Sequence, residues 1–116
     1  MLSLSAGTNV YLCMRPVDLR KGFDGLSALV EAVFERNVLE GHLFLFVNRR
    51  RDRVKALWWD NDGLVIWYKR LERGGFELPR DGQGRPHVAL DATALAMLLG
   101  GVPLATPRRV RYRRPA

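Results

Sequence analysis

Leu43-Phe44-Leu45-Phe46-Val47, Val54-Lys55-Ala56-Leu57-Trp58-Trp59 and Leu64-Val65-Ile66-Trp67-Tyr68-Lys69-Arg70 decide the fold. Each is a short run rich in apolar, β-branched and aromatic residues, and each is bounded by turn-forming residues. Asn61-Asp62-Gly63 between the second and third runs is a hairpin signal. Gly74-Gly75 makes a further turn, and Phe76-Glu77-Leu78 reads as a brief fourth strand ended by Pro79. Closely spaced strands joined by tight turns predict an antiparallel meander.

Upstream the period changes. Asn9 to Met14 reads as a strand that Arg15-Pro16 ends. Asp18 is then a candidate helix N-cap. Leu19, Phe23, Leu26, Leu29, Val30, Val33 and Phe34 recur at offsets of three and four, which predicts one long helix reaching about Phe34. Gly22 and Gly25 weaken its first turns, so a firm start is expected near Asp24. Downstream, Val88-Ala89-Leu90 reads as an edge strand. Asp91 caps a short helix from Ala92 to Leu99, which Gly100-Gly101 stops. The expected fold is α+β: a single domain, an antiparallel β-meander packed by one long and one short α-helix, with a basic C-terminal tail. Residues 1–106 form the domain and 107–116 the tail, which is expected to be flexible.

The chain has 116 residues and a net charge of +7. It is long enough for one core that needs neither disulfide nor metal. Its single cysteine, Cys13, lies in an apolar run and reads as a buried hydrophobe. Two distant histidines, His42 and His87, give no zinc-ligand spacing. The N-terminus lacks the pattern of a signal peptide, and the apolar runs are too short to span a bilayer, so a cytoplasmic location is expected. Asp18 and Asp91 read as helix caps and Asp60 and Asp62 as turn residues, which leaves no carboxylate cluster for a two-metal nuclease. Ser3, Ser5 and Ser27 lie in no nucleophile-elbow sequence. The chain is therefore expected to be no enzyme and to carry no metal or cofactor.

The basic residues carry more. Arg49-Arg50-Arg51-Asp52-Arg53-Val54-Lys55 places five positive charges in seven residues, in the turn between two predicted strands. Arginine forks match phosphate oxygens, so Arg49, Arg50, Arg51, Arg53 and Lys55 are candidate phosphate contacts. Arg20 and Lys21, at the expected start of the first helix, are further candidates, because free N–H groups there suit an anion. Arg108, Arg109, Arg111, Arg113 and Arg114 in the tail, with no acid among them, complete the set. Trp58 and Trp59 cannot point to the same side of a regular strand. Either one is exposed beside the basic turn and able to stack on a base, or both sheet faces are covered and both tryptophans are core.

Five segments in order carry a resemblance: Asp18-Leu19-Arg20-Lys21-Gly22-Phe23-Asp24-Gly25-Leu26, Gly41-His42-Leu43-Phe44-Leu45-Phe46, Lys55-Ala56-Leu57-Trp58-Trp59-Asp60, Lys69-Arg70-Leu71-Glu72-Arg73-Gly74 with Phe76, and Leu95-Ala96-Met97-Leu98-Leu99-Gly100-Gly101. From about Gly7 to Val102 the chain resembles the TnpB family, the second open reading frame product of the sixty-six-type bacterial insertion sequences. That family is unrelated to the RNA-guided nucleases sharing the label. The resemblance implies an accessory role in transposition beside a separate transposase that holds the acidic catalytic residues. It carries over no catalytic site. The expected partners are that transposase and DNA, bound largely without regard to sequence. The alternative is a protein-interaction module that docks on the transposase without touching DNA.

Overall fold

Leu43–Val47 forms a strand buried at every position. In the computed structural model, which describes residues 7–100, it is the centre of a five-stranded sheet. The strands are β1 (Val10–Cys13), β2 (Leu43–Val47), β3 (Arg53–Asp60), β4 (Gly63–Arg70) and β5 (His87–Leu90), in spatial order β4-β3-β2-β1-β5. The first three segments of the meander pair antiparallel, β2 with β3 and β3 with β4, as the turns predict. The sheet as a whole is mixed, which corrects the antiparallel expectation: β1 runs parallel to β2, with Val10 opposite Leu43. A parallel pair needs a long crossover, usually helical, and residues 14–42 supply one. β5 closes the far edge, antiparallel to β1, as an edge strand was expected to do.

The crossover helix is shorter than its periodicity suggests. α1 spans Phe23–Leu29 and passes into a π-helical turn, Val30–Phe34. Gly22, not Asp18, is the N-cap. The Asp18 carboxylate instead accepts the Arg20 N–H at 3.0 Å and the Arg20 guanidinium, a local arrangement that competes with helix. Leu26, Val30 and Phe34 are buried, Leu29 and Val33 pack beside them, and Phe23 stays half exposed. The wider π turn brings the Phe34 ring within 5.0 Å of Phe44 and 5.8 Å of Phe46. Asp91 caps α2 (Ala92–Leu99) as expected, accepting the Ala94 N–H at 2.7 Å.

Both sheet faces are thus covered. Tyr11, Cys13, Phe44, Phe46 and Leu57 meet α1 and the π turn, while Val10, Leu12, Leu43, Leu45, Val47, Val54 and Ala56 meet α2. Phe76 belongs to the second layer without being in a strand, which corrects the expected fourth strand at Phe76–Leu78. Its N–H donates to the Arg51 carbonyl at 2.6 Å and its ring is buried. Trp58 and Trp59 point to opposite faces and each is half buried. Burial also pushes the Cys13 thiol above its ordinary pKa, as suits a core residue.

Phe44 is fully buried in the α1 layer, its ring stacked on Tyr11 at 5.7 Å. Phe44→Ala leaves a cavity that α1 cannot fill and is expected to cost about 3–5 kcal/mol in urea unfolding. A loss below about 1 kcal/mol would mean that this layer is loosely packed.

Candidate nucleic-acid interface

β2 ends at Val47 and the chain re-enters the sheet at Arg53, so residues 48–52 must reverse it. Asn48 holds the reversal. Its N–H donates to the Arg53 carbonyl at 3.2 Å and its own carbonyl accepts the Arg51 N–H at 3.0 Å. Its side-chain oxygen accepts the Arg53 N–H at 3.0 Å, and its side-chain amide donates to the Asp52 carboxylate at 2.7 Å. The arginines of the turn are therefore positioned by backbone and by a neutral side chain. Arg51 takes the left-handed conformation, φ 62°, unusual for a residue with a Cβ, and its carbonyl is held by the Phe76 N–H.

A second segment lies alongside. The Val17 N–H donates to the Val47 carbonyl at 3.0 Å, which sets residues 16–20 against the turn. Between them runs a groove of about 430 Å³ lined by Asp18 and Arg20 from one side and Arg49, Arg50, Asp52 and Arg53 from the other, with Tyr68 among its walls. Two basic groups far apart in sequence thus meet. Four arginines against two aspartates leave the lining with a net charge of +2. Arg20 is bound in a fork to Asp18, with Nη2 to Oδ2 at 2.7 Å and Nε to Oδ1 at 3.0 Å. Hydrogen bonds from the Arg20 guanidinium, then from its backbone N–H, bring the Asp18 carboxyl down to a pKa of about 2. The Asn48 amide, then the charges of Arg50 and Arg53, hold Asp52 below the usual carboxylate range. Both acids are charged at neutral pH. Among the described residues Arg49, Arg50 and Arg53 form no contact ion pair.

The five cations read together from the sequence do not all share this groove. Lys55 sits beside it, its ammonium 3.0 Å from the Lys21 carbonyl and 4.9 Å from the centre of the Tyr68 ring. Arg51 turns away into a separate cleft of about 230 Å³ with Arg15 and Arg85. Arg20 and Lys21 precede α1 and do not belong to its first turn. Arg108, Arg109, Arg111, Arg113 and Arg114 lie outside the described residues.

Three contributors went unread in the sequence: Tyr68, Arg15 and Arg85. Tyr68 was legible in principle. A two-residue turn at Asn61-Asp62 pairs Asp60 with Gly63, and counting back pairs Lys55 with Tyr68, as observed. The Arg53 guanidinium donates to the Tyr68 hydroxyl at 3.2 Å. Among the described residues no cluster of three or more His, Cys, Asp or Glu could hold a metal ion, and no helix is long and apolar enough to cross a membrane.

Comparison with known proteins bears on this arrangement. The family model described as IS66 Orf2 like protein matches residues 8–109. Two relatives from Sinorhizobium fredii are similar over nearly their whole lengths. Uncharacterized protein y4jC is 31% identical over 115 residues, covering 99% of this chain and 97% of the relative. Uncharacterized protein y4hO is 32% identical over 108 residues, covering 93% and 92%. No solved structure matches the chain. With the family's pattern spanning residues 8–109, the chain belongs to the IS66 Orf2-like family.

Proposed function

We propose that the protein is a non-catalytic accessory factor in the transposition of a bacterial insertion sequence, and that its arginine groove contacts nucleic-acid phosphates. Family membership supports the transposition role and makes the element's separate transposase the natural protein partner. The observation that carries the phosphate reading is the convergence of Arg20 with Arg49, Arg50 and Arg53 around one groove. Guanidinium groups that lack a contact carboxylate are free to fork onto phosphate oxygens. Contacts of this kind position a backbone and do not read bases, so binding is largely sequence-independent. The tail arginines, Arg108, Arg109, Arg111, Arg113 and Arg114, are further candidate phosphate contacts.

A second reading has its own observation. Arg15, Arg51 and Arg85 line a cleft separate from the groove with no acid in its walls. Its chemistry would suit an acidic segment of a protein partner such as the transposase, without competition for the groove.

The phosphate reading is tested by titrating DNA across a salt series. Replacing Arg49, Arg50 and Arg53 by alanine should weaken binding and lower the salt slope by about 0.9 for each duplex phosphate that the protein no longer neutralises. The melting temperature should change little, because Asn48 and the backbone hold the turn. If the parent shows no binding at low salt, the groove serves a protein partner.

Asp18→Asn gives the opposite sign. It removes a negative charge and releases the Arg20 fork, so DNA binding should tighten and the salt slope steepen. Unchanged affinity would place Arg20 outside the DNA-binding surface. For the non-catalytic role, the purified protein with magnesium should leave the element's end DNA intact, and cleavage lost on Asp60→Ala or Asp62→Ala would overturn it.

A further inference from the structure

Tyr68, Phe23 and Leu39 are the large apolar side chains left exposed among the described residues, and of these Tyr68 alone lines the arginine groove. It is 49% exposed. Its ring is held on a strand, with the Lys55 ammonium 4.9 Å from its centre and the Arg53 guanidinium on its hydroxyl at 3.2 Å. A tyrosine fixed in this way loses little freedom when something stacks on it. The geometry points to Tyr68 as a stacking platform for an unpaired base, which makes the groove a site for single-stranded nucleic acid. This rests on the phosphate reading above and narrows it.

Three features favour that ligand. The walls are cationic, so the occupant carries repeated negative charge. An exposed aromatic surface lies in the same groove, so the occupant also presents a flat apolar face. A single strand offers both at adjacent positions, and stacking on an aromatic ring tolerates any base. A duplex offers only phosphates here, because its bases are stacked on one another and present edges in the grooves. The size is compatible: about 430 Å³ has room for a nucleotide-sized group with its phosphate. Tyr68 thereby takes the part that the sequence offers to Trp58 or Trp59, both of which are half buried.

The ligand could be single-stranded DNA or RNA, since both present a phosphate backbone and unstacked bases. The test measures fluorescence anisotropy of the full chain with labelled oligothymidylate, oligouridylate and duplex DNA of equal length at one low salt concentration. The parent is expected to bind a single strand at least as tightly as the duplex, and the tighter of the two single strands identifies the sugar. Tyr68→Ala should weaken single-strand binding about tenfold and change duplex binding less than about twofold. Tyr68→Phe keeps the ring but loses the hydroxyl that accepts from Arg53, so it should retain most of the single-strand binding that Tyr68→Ala loses. Thermal melting of both variants guards against loss of fold. Equal weakening on single strand and duplex, or none on the single strand, overturns the stacking role while leaving phosphate binding intact. Failure of the parent to bind any of the three removes both readings.

Discussion

Burial of β2 on both faces is the constraint on which the rest depends. None of its five residues is more than 2% exposed, and strands pair with it on either side. A strand in that position needs an apolar layer above and below. The layers are thin. α1 has seven residues and α2 eight, lengths at which an isolated helix is not stable in water. They form because the sheet gives Leu26, Val30 and Phe34 one surface to cover and Leu95 and Leu98 the other. One lysine ties each layer down. Lys69 donates to the Leu99 carbonyl at 2.9 Å, a cation at the negative end of α2, and Lys55 donates to the Lys21 carbonyl ahead of α1.

What was legible in the sequence follows from range. The apolar run of β2, the turn at Asn61-Asp62 and the cap at Asp91 are each decided within a few residues, and each stands where the sequence placed it. The parallel pairing of β1 is not decided locally. A short apolar strand reads alike whichever neighbour it takes, and only the coverage demand of β2 selects β1 over another partner. Phe76 shows the same limit from another side. Its flanking glycines and apolar character suggest a strand, yet its amide is taken by the Arg51 carbonyl and its ring completes the α2 layer. The π turn is likewise a response to packing, since it places Phe34 among Tyr11, Phe44 and Phe46.

The candidate site divides along the same line. The arginine run of the β2–β3 turn was visible as charge. Its joining with Arg20 rests on long-range contacts, among them the hydrogen bonds from Val17 to Val47 and from Lys55 to Lys21 and the burial of Val17 and Leu19, for which no local pattern speaks. Its partial scattering was also hidden. The left-handed Arg51 aims its side chain to the far side of the turn, so adjacent residues in the sequence line two different depressions.

The turn's construction fits the proposal that its charge serves a ligand. Its one acid, Asp52, makes no contact ion pair with the arginines beside it. Here Asn48 supplies the hydrogen bonds and Arg49, Arg50 and Arg53 are left without contact ion pairs. Like charges around an open groove repel one another by about 0.4 kcal/mol per pair at 10 Å in water, less in salt. The fold tolerates that small cost, and an anion in the groove removes it. Because the side chains of Arg49 and Arg50 take no part in holding the turn, fold and binding are separable there. Arg49, Arg50 and Arg53, without contact ion pairs and gathered beside a half-exposed tyrosine, are what the proposed polyanion with a flat face would need.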